Sequence, residues 1–308
     1  MIEAPADRPG LSLSRRVIMM CTLVIAGETI FLLPFVTSRI FRPTILDAFG
    51  LTNLQLGVVF SIIGTVGMLG YFPGGVLADK FSARGLMTLA LVTTALGGLV
   101  YAQIPSLGIL QVLYAFWGIT TLTLFWAAMI RATREWGGRD KQSSAYGLLD
   151  GGRGLTAAIL ASLSVMIFSA LLPGEAADAT LEERRAALKL VILFFSGFVF
   201  LVSILVWFVF PARGFEHHAD STEKLSLKAI YTVARMPEIW LQALIIVCAY
   251  VGMKATADFS LYARDAFGFD DVRAARLSEI SFWIRPFAAI SVGFLGDWFG
   301  AVRMILLC

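Results

Sequence analysis

Four places in this sequence set ionisable side chains inside long apolar runs, where a charged group is costly and calls for a task. Glu28 lies in IAGETIF, Lys254 and Asp258 in YVGMKATADFS, Arg285 in SFWIRPFAA, and Asp150 with Arg153 in GLLDGGRG. Tyr250, Lys254 and Asp258 are spaced i, i+4, i+8, which predicts one stripe along a helix. A carboxyl group such as Glu28 can carry a proton, held or released as solvent access and nearby charge change. Arginine keeps its charge, and the planar fork of Arg285 suits carboxylate, phosphate or sulfonate groups. The structural alternatives are that Lys254 and Asp258 neutralise each other, and that Arg285 bonds carbonyls freed by Pro286. Asp150 and Arg153, at i, i+3 among Gly147, Gly151, Gly152 and Gly154, favour helix packing and gating over ligand binding. Trp117, Trp126, Tyr250, Phe282 and Trp283 offer faces that could stack on a ring, although aromatic residues also fill cores.

A second signal is a charged cluster that recurs. GGVLADKFSARG at 74–85 carries Asp79, Lys80 and Arg84, and GFLGDWFGAVR at 293–303 carries Asp297 and Arg303. Gly75 to Asp79 and Gly293 to Asp297 share the form Gly-x-Leu-x-Asp. Other chemistries find no support. There is no phosphate-binding glycine loop, no metal-ligand spacing and no Ser-His-Asp arrangement, so neither an enzyme nor a metal or other cofactor is expected. His217 and His218 sit in a polar stretch. Cys21, Cys248 and Cys308 all fall in apolar runs, where neither a disulfide framework nor a zinc site is available.

The elements that must position these residues follow from composition. The chain of 308 residues is 58% hydrophobic and 15% charged, with a mean hydropathy of +0.79. Soluble domains are less apolar and more charged, so the sequence predicts an all-α membrane protein. Expected spans are 17–37, 54–76, 86–102, 107–130, 146–172, 190–210, 239–262 and 275–296, with a ninth beginning at Ala301. Residues 1–16 are read as a cytoplasmic N-terminus without a cleavable signal. Residues 17–210 are read as a six-helix unit, 211–238 as a cytoplasmic linker, and 239–308 as part of a second unit. Basic residues collect on one side of these spans, from Arg15, Arg16, Lys80 and Arg84 to Arg131, Lys141 and Arg235. The other side holds most loop acids, among them Asp47, Asp270 and Asp271. This bias predicts a cytoplasmic N-terminus. A net charge of +3 needs no nucleic-acid partner.

The sequence resembles the major facilitator superfamily, on Gly75, Leu77, Ala78, Asp79, Lys80 and Arg84 and on the repeat of that motif. Ser82 stands where a second glycine is usual, and Ala83 where the first of two basic residues is usual. The resemblance implies parallel six-helix units, with the first and seventh helices lining one cavity and the fifth packing against the eighth. It therefore implies that Glu28 and Lys254 face one path, and that Asp297 approaches Arg153 as a latch. It also implies twelve helices in a complete member, so this chain is expected to lack most of the ninth and all of the tenth to twelfth.

The expected function is secondary active transport of a small organic solute, an anion or a sugar derivative, across the inner membrane with protons as coupling ions. The expected partners are that solute, protons and the lipid bilayer. One alternative is drug or metabolite efflux by proton antiport. Another is a non-transporting receptor or assembly protein that keeps the fold.

Overall fold

Ser12 caps the first helix by accepting from the Arg15 amide at 3.4 Å, and α1 (Leu13–Thr29) runs from there into the apolar interior. Past Glu28 the backbone widens. Pro34 has no N–H to give, and both Phe35 and Val36 donate to the Phe31 carbonyl, at 3.0 and 3.1 Å. This makes Leu32–Val36 a π-helical turn. A short helix α2 (Thr37–Ile40) continues the path, so the first span reaches from Leu13 to Ile40. The computed structural model describes residues 12–138, 142–172, 178–211, 232, 235–255 and 258–299. The side chains of 72, 142–144, 246, 249, 253–255, 285 and 288–299 fall outside that description.

A connecting helix that the hydropathy pattern did not predict, α3 (Arg42–Phe49), lies at the end opposite the N-terminus, here the far end. Gly50 ends it at φ 64°, a left-handed conformation that glycine adopts without steric cost. Thr52 and Gln55 form a reciprocal capping box for α4 (Asn53–Lys80). The chain then crosses in alternation through α5 (Ala83–Tyr101), α6 (Leu107–Gly118) and α7 (Ala127–Gly137). A second π-helical stretch, Ile119–Trp126, joins the last two. Helix α8 (Gln142–Leu171) returns to the far end. Thr180 and Glu183 cap α9 (Leu181–Val209), which starts before the expected span because its charged first turn is still helical.

These elements give six helices long and apolar enough to cross a membrane, and the first six expected spans each fall on one of them. No strand occurs among the described residues. Helix α5 packs along α9, α1 against α8 and α9, and α4 against α6 and the second π stretch. Lipid is as apolar as leucine, so close fit rather than hydrophobicity holds such helices together. Gly67, Gly70 and Gly74 supply that fit on α4. A Cβ at Gly74 would stand 2.6 Å from the Thr123 carbonyl oxygen, so the backbones already touch there. Tyr101, Tyr114 and Trp117 fill the centre of the bundle, with ring centroids 5.1 to 6.4 Å apart.

Beyond the linker come α10 (Pro237–Ala255), α11 (Phe259–Phe267) and α12 (Asp271–Phe299). Asp258 is the N-cap of α11, and the stripe expected from Tyr250 through Lys254 runs over residues 256–257 and a Lys254 side chain that lie outside the described residues. Helix α12 packs along α8, with Gly154 meeting Pro286.

Candidate functional site

The buried centre of the site joins α1 to α8. Arg153 Nη2 lies 3.3 Å from Glu28 Oε2, with only 13% and 7% of the two side chains exposed. Its Nε donates to the Gly27 carbonyl at 3.1 Å. Nη1 reaches Asp150 Oδ1 at 3.2 Å, and that carboxylate is 71% exposed. The guanidinium also stands over two rings, 5.6 Å from the Phe31 centroid and 5.3 Å from that of Trp126. Both rings border the π-helical stretches, whose wide turns occur often at functional sites. Gly152 lets α8 approach α1 closely enough for this contact, since a Cβ there would be 2.7 Å from Val24.

A second group of charges seals the far end. Asp271, whose side chain is 4% exposed, accepts from Thr44 at 2.9 Å and from Arg184 at 3.0 Å. Arg184 also reaches Asp47 at 3.1 Å, and Arg264 reaches the same carboxylate at 2.8 Å. Asp258 Oδ1 lies 2.8 Å from Arg42 Nε, although that N–H donates to Asn53 at 2.9 Å. Burial pulls the Arg42 guanidinium below its ordinary value, against the opposing pull of Asp258 and Tyr114. Arg39 donates to Ser281 at 3.3 Å and stands 4.6 Å from the Phe282 ring centroid. These contacts tie α2, α3 and α9 to α11 and α12.

A third group joins α8 to α12. The Trp283 indole donates to Ser162 at 2.8 Å, and the Ser162 hydroxyl donates to Glu279 at 2.5 Å. An indole N–H can only donate, so the hydroxyl must pass its own hydrogen to the carboxylate. Arg276 and Glu279 line a cavity of about 360 Å³ beside this joint.

At the near end, Gly75, Asp79 and Lys80 are exposed on the last turns of α4. Arg84 opens α5 with its guanidinium 4.2 Å from the Trp207 ring centroid. Arg131, not foreseen as a site residue, pairs with Glu135 at 2.7 Å and donates to the Ala78 carbonyl within the motif. Arg16 and Trp136 bind each other there through reciprocal hydrogen bonds of 2.9 and 3.3 Å.

Arg153 is thus a described partner of Glu28, and the side chain of Lys254, expected to face the same path, lies outside the described residues. Tyr250 is exposed on α10. Arg285, Gly293 and Asp297 have their backbone places on α12, and their side chains lie outside the described residues, as does the whole of Arg303. The sequence reading did not single out Arg39, Arg42, Arg184, Arg264, Ser162 or Glu279. Arg39 and Arg42, set at the end of an apolar run, were the available signal for the far-end contacts.

Residues 17–308 match a family model described as the Major Facilitator Superfamily. The chain is 27% identical over 268 residues to the inner membrane protein YqcE of Escherichia coli, covering 86% of this chain and 61% of that protein. It is 26% identical over 187 residues to the inner membrane protein YihN of the same organism, covering 61% and 42%. It is 24% identical over 258 residues to a probable nitrate/nitrite antiporter, NarK1, of Thermus thermophilus, covering 83% and 56%. The chain therefore spans less than two thirds of the length of each of these relatives.

Proposed function

We propose, from the premise that this chain belongs to the major facilitator superfamily, that it is part of a secondary active transporter moving a small organic solute by alternating access. Residues 17–210 form one rocking unit in this reading and residues 239–308 belong to the other. The inner membrane is the proposed location, supported by the names of two relatives. The cytoplasmic N-terminus rests on the distribution of basic residues. The far end is then the outer face.

The observation that carries the reading is the set of ion pairs crossing between the units at that face, Arg184 with Asp271 and Arg264 with Asp47. Such pairs can be broken without unfolding either unit, which is what a gate requires. Glu28, buried in the first span and paired with Arg153, is the proposed proton carrier. An anionic solute is favoured by the cationic fork at that depth, and the name of one relative agrees with it.

The gate is tested with Ser278→Cys as reporter, in a cysteine-free background of the whole protein. Ser278 is fully buried and lies two turns below Asp271 on α12. Asp271→Ala is expected to raise its labelling by an impermeant maleimide added outside. Labelling that stays unchanged when the pair is removed would sink the gate reading.

A further inference from the structure

Arg153 has two terminal nitrogens, and they are shared between two carboxylates instead of being closed by one. Nη2 is 3.3 Å from Glu28 and Nη1 is 3.2 Å from Asp150. Both separations exceed the roughly 2.7–2.9 Å usual for an ionised pair, and the two carboxylates make their nearest contacts with different terminal nitrogens. The Nε edge is already spent on the Gly27 carbonyl. What remains is an end-on edge, held loosely and set against the rings of Phe31 and Trp126.

We propose that this edge of Arg153 binds the carboxylate of a flat organic anion, and that Glu28 is a tethered carboxylate occupying the same edge when no solute is bound. A free carboxylate presents two coplanar oxygens and can engage Nη1 and Nη2 together. Asp150 gives up its contact at little cost because it is mostly in water. Glu28 is buried, so it is the true competitor. The two rings, 5.6 and 5.3 Å from the guanidinium carbon, offer apolar faces to the flat organic part of such an anion. The inference rests on the transport reading for the route of the solute, and not for the binding itself.

Competition gives the two charged partners opposite signatures. With benzoate as the probe and the whole protein in detergent, Glu28→Gln is expected to tighten binding by about tenfold, because the competitor loses its charge. Arg153→Lys is expected to weaken it by about tenfold or more, since an ammonium cannot offer the fork. Glu28→Asp, with a shorter tether, should also tighten it, and serves where the glutamine variant fails to fold. Glucose, which has no carboxylate, should compete with benzoate in none of them. Benzoate affinity that is unchanged or weaker in the Glu28 variants overturns the assignment. So does an absence of benzoate binding in both the native protein and the Glu28 variants. A whole protein that binds in this pattern yet moves no solute in liposomes would count against the transport reading alone.

Discussion

Arg184 on α9 grips Asp271 at the head of α12 at 3.0 Å, across 87 residues of sequence and across the linker. Asp271 is nearly buried and has Thr44 as a second donor, so its charge is compensated from two elements at once.

Removing that carboxylate should therefore act on more than one partner. Asp271→Ala and Arg184→Ala are each expected to lower stability, and their double mutant should show coupling of about 1–3 kcal/mol. Thermal melting of the four proteins in detergent reads this directly. Strictly additive losses would mean that the contact carries no energy of its own.

Two neighbouring glycines on α4 should respond in opposite ways. Gly74→Ala drives a methyl into the Thr123 carbonyl and is expected to cost about 1–3 kcal/mol. Gly75→Ala meets open space and should be neutral, or stabilise by up to about 1 kcal/mol through helix propensity. Melting temperatures separate the two. Because Gly75 belongs to the repeated motif, a well-folded Gly75→Ala protein that loses activity would place its role in gating.

The α8–α12 joint depends on one hydroxyl that both accepts and donates. Ser162→Ala strands the Trp283 indole and removes a hydrogen bond from Glu279, at an expected cost of about 1–3 kcal/mol. Trp283→Phe should then add little in the Ser162→Ala background, because the indole has already lost its acceptor. A chemical-denaturation cycle of the pair measures this, and independent losses would contradict the relay.

The pair Arg42 and Asp258 should be asymmetric. Arg42 is buried and also holds Asn53, whereas Asp258 is half exposed. Arg42→Ala is therefore expected to lower the melting temperature more than Asp258→Ala, by about 1–2 kcal/mol in stability. Equal losses would show that the ion pair alone sets the effect.

Much of the architecture was legible because it follows from local rules. The first six apolar runs predict six spans, and hydropathy places each of them, although α9 begins nine residues before its expected span, 181 against 190. The capping pairs Thr52–Gln55 and Thr180–Glu183, which mark the starts of α4 and α9, were not singled out in the sequence. The depth of Glu28 was readable from the same hydropathy. Its pairing with Arg153 was not, because 125 positions separate them and only the packing of α1 on α8 brings them together. Asp47 and Asp271 read as solvated loop acids, since nothing local reveals that α3 and α12 place them beside Arg184.

The wide turn at Leu32–Val36 holds one residue more than a regular helix of the same path would need. That surplus lies between Glu28, which faces α8, and Arg39, which grips α12. It is slack in the literal sense. A chain that lost one position there could close into ordinary helix with both ends left in place, so this is where length variation would be absorbed without loss of register. The first span is therefore built as two helical rods, one bearing Glu28 and the other Arg39, joined by a wide coupling.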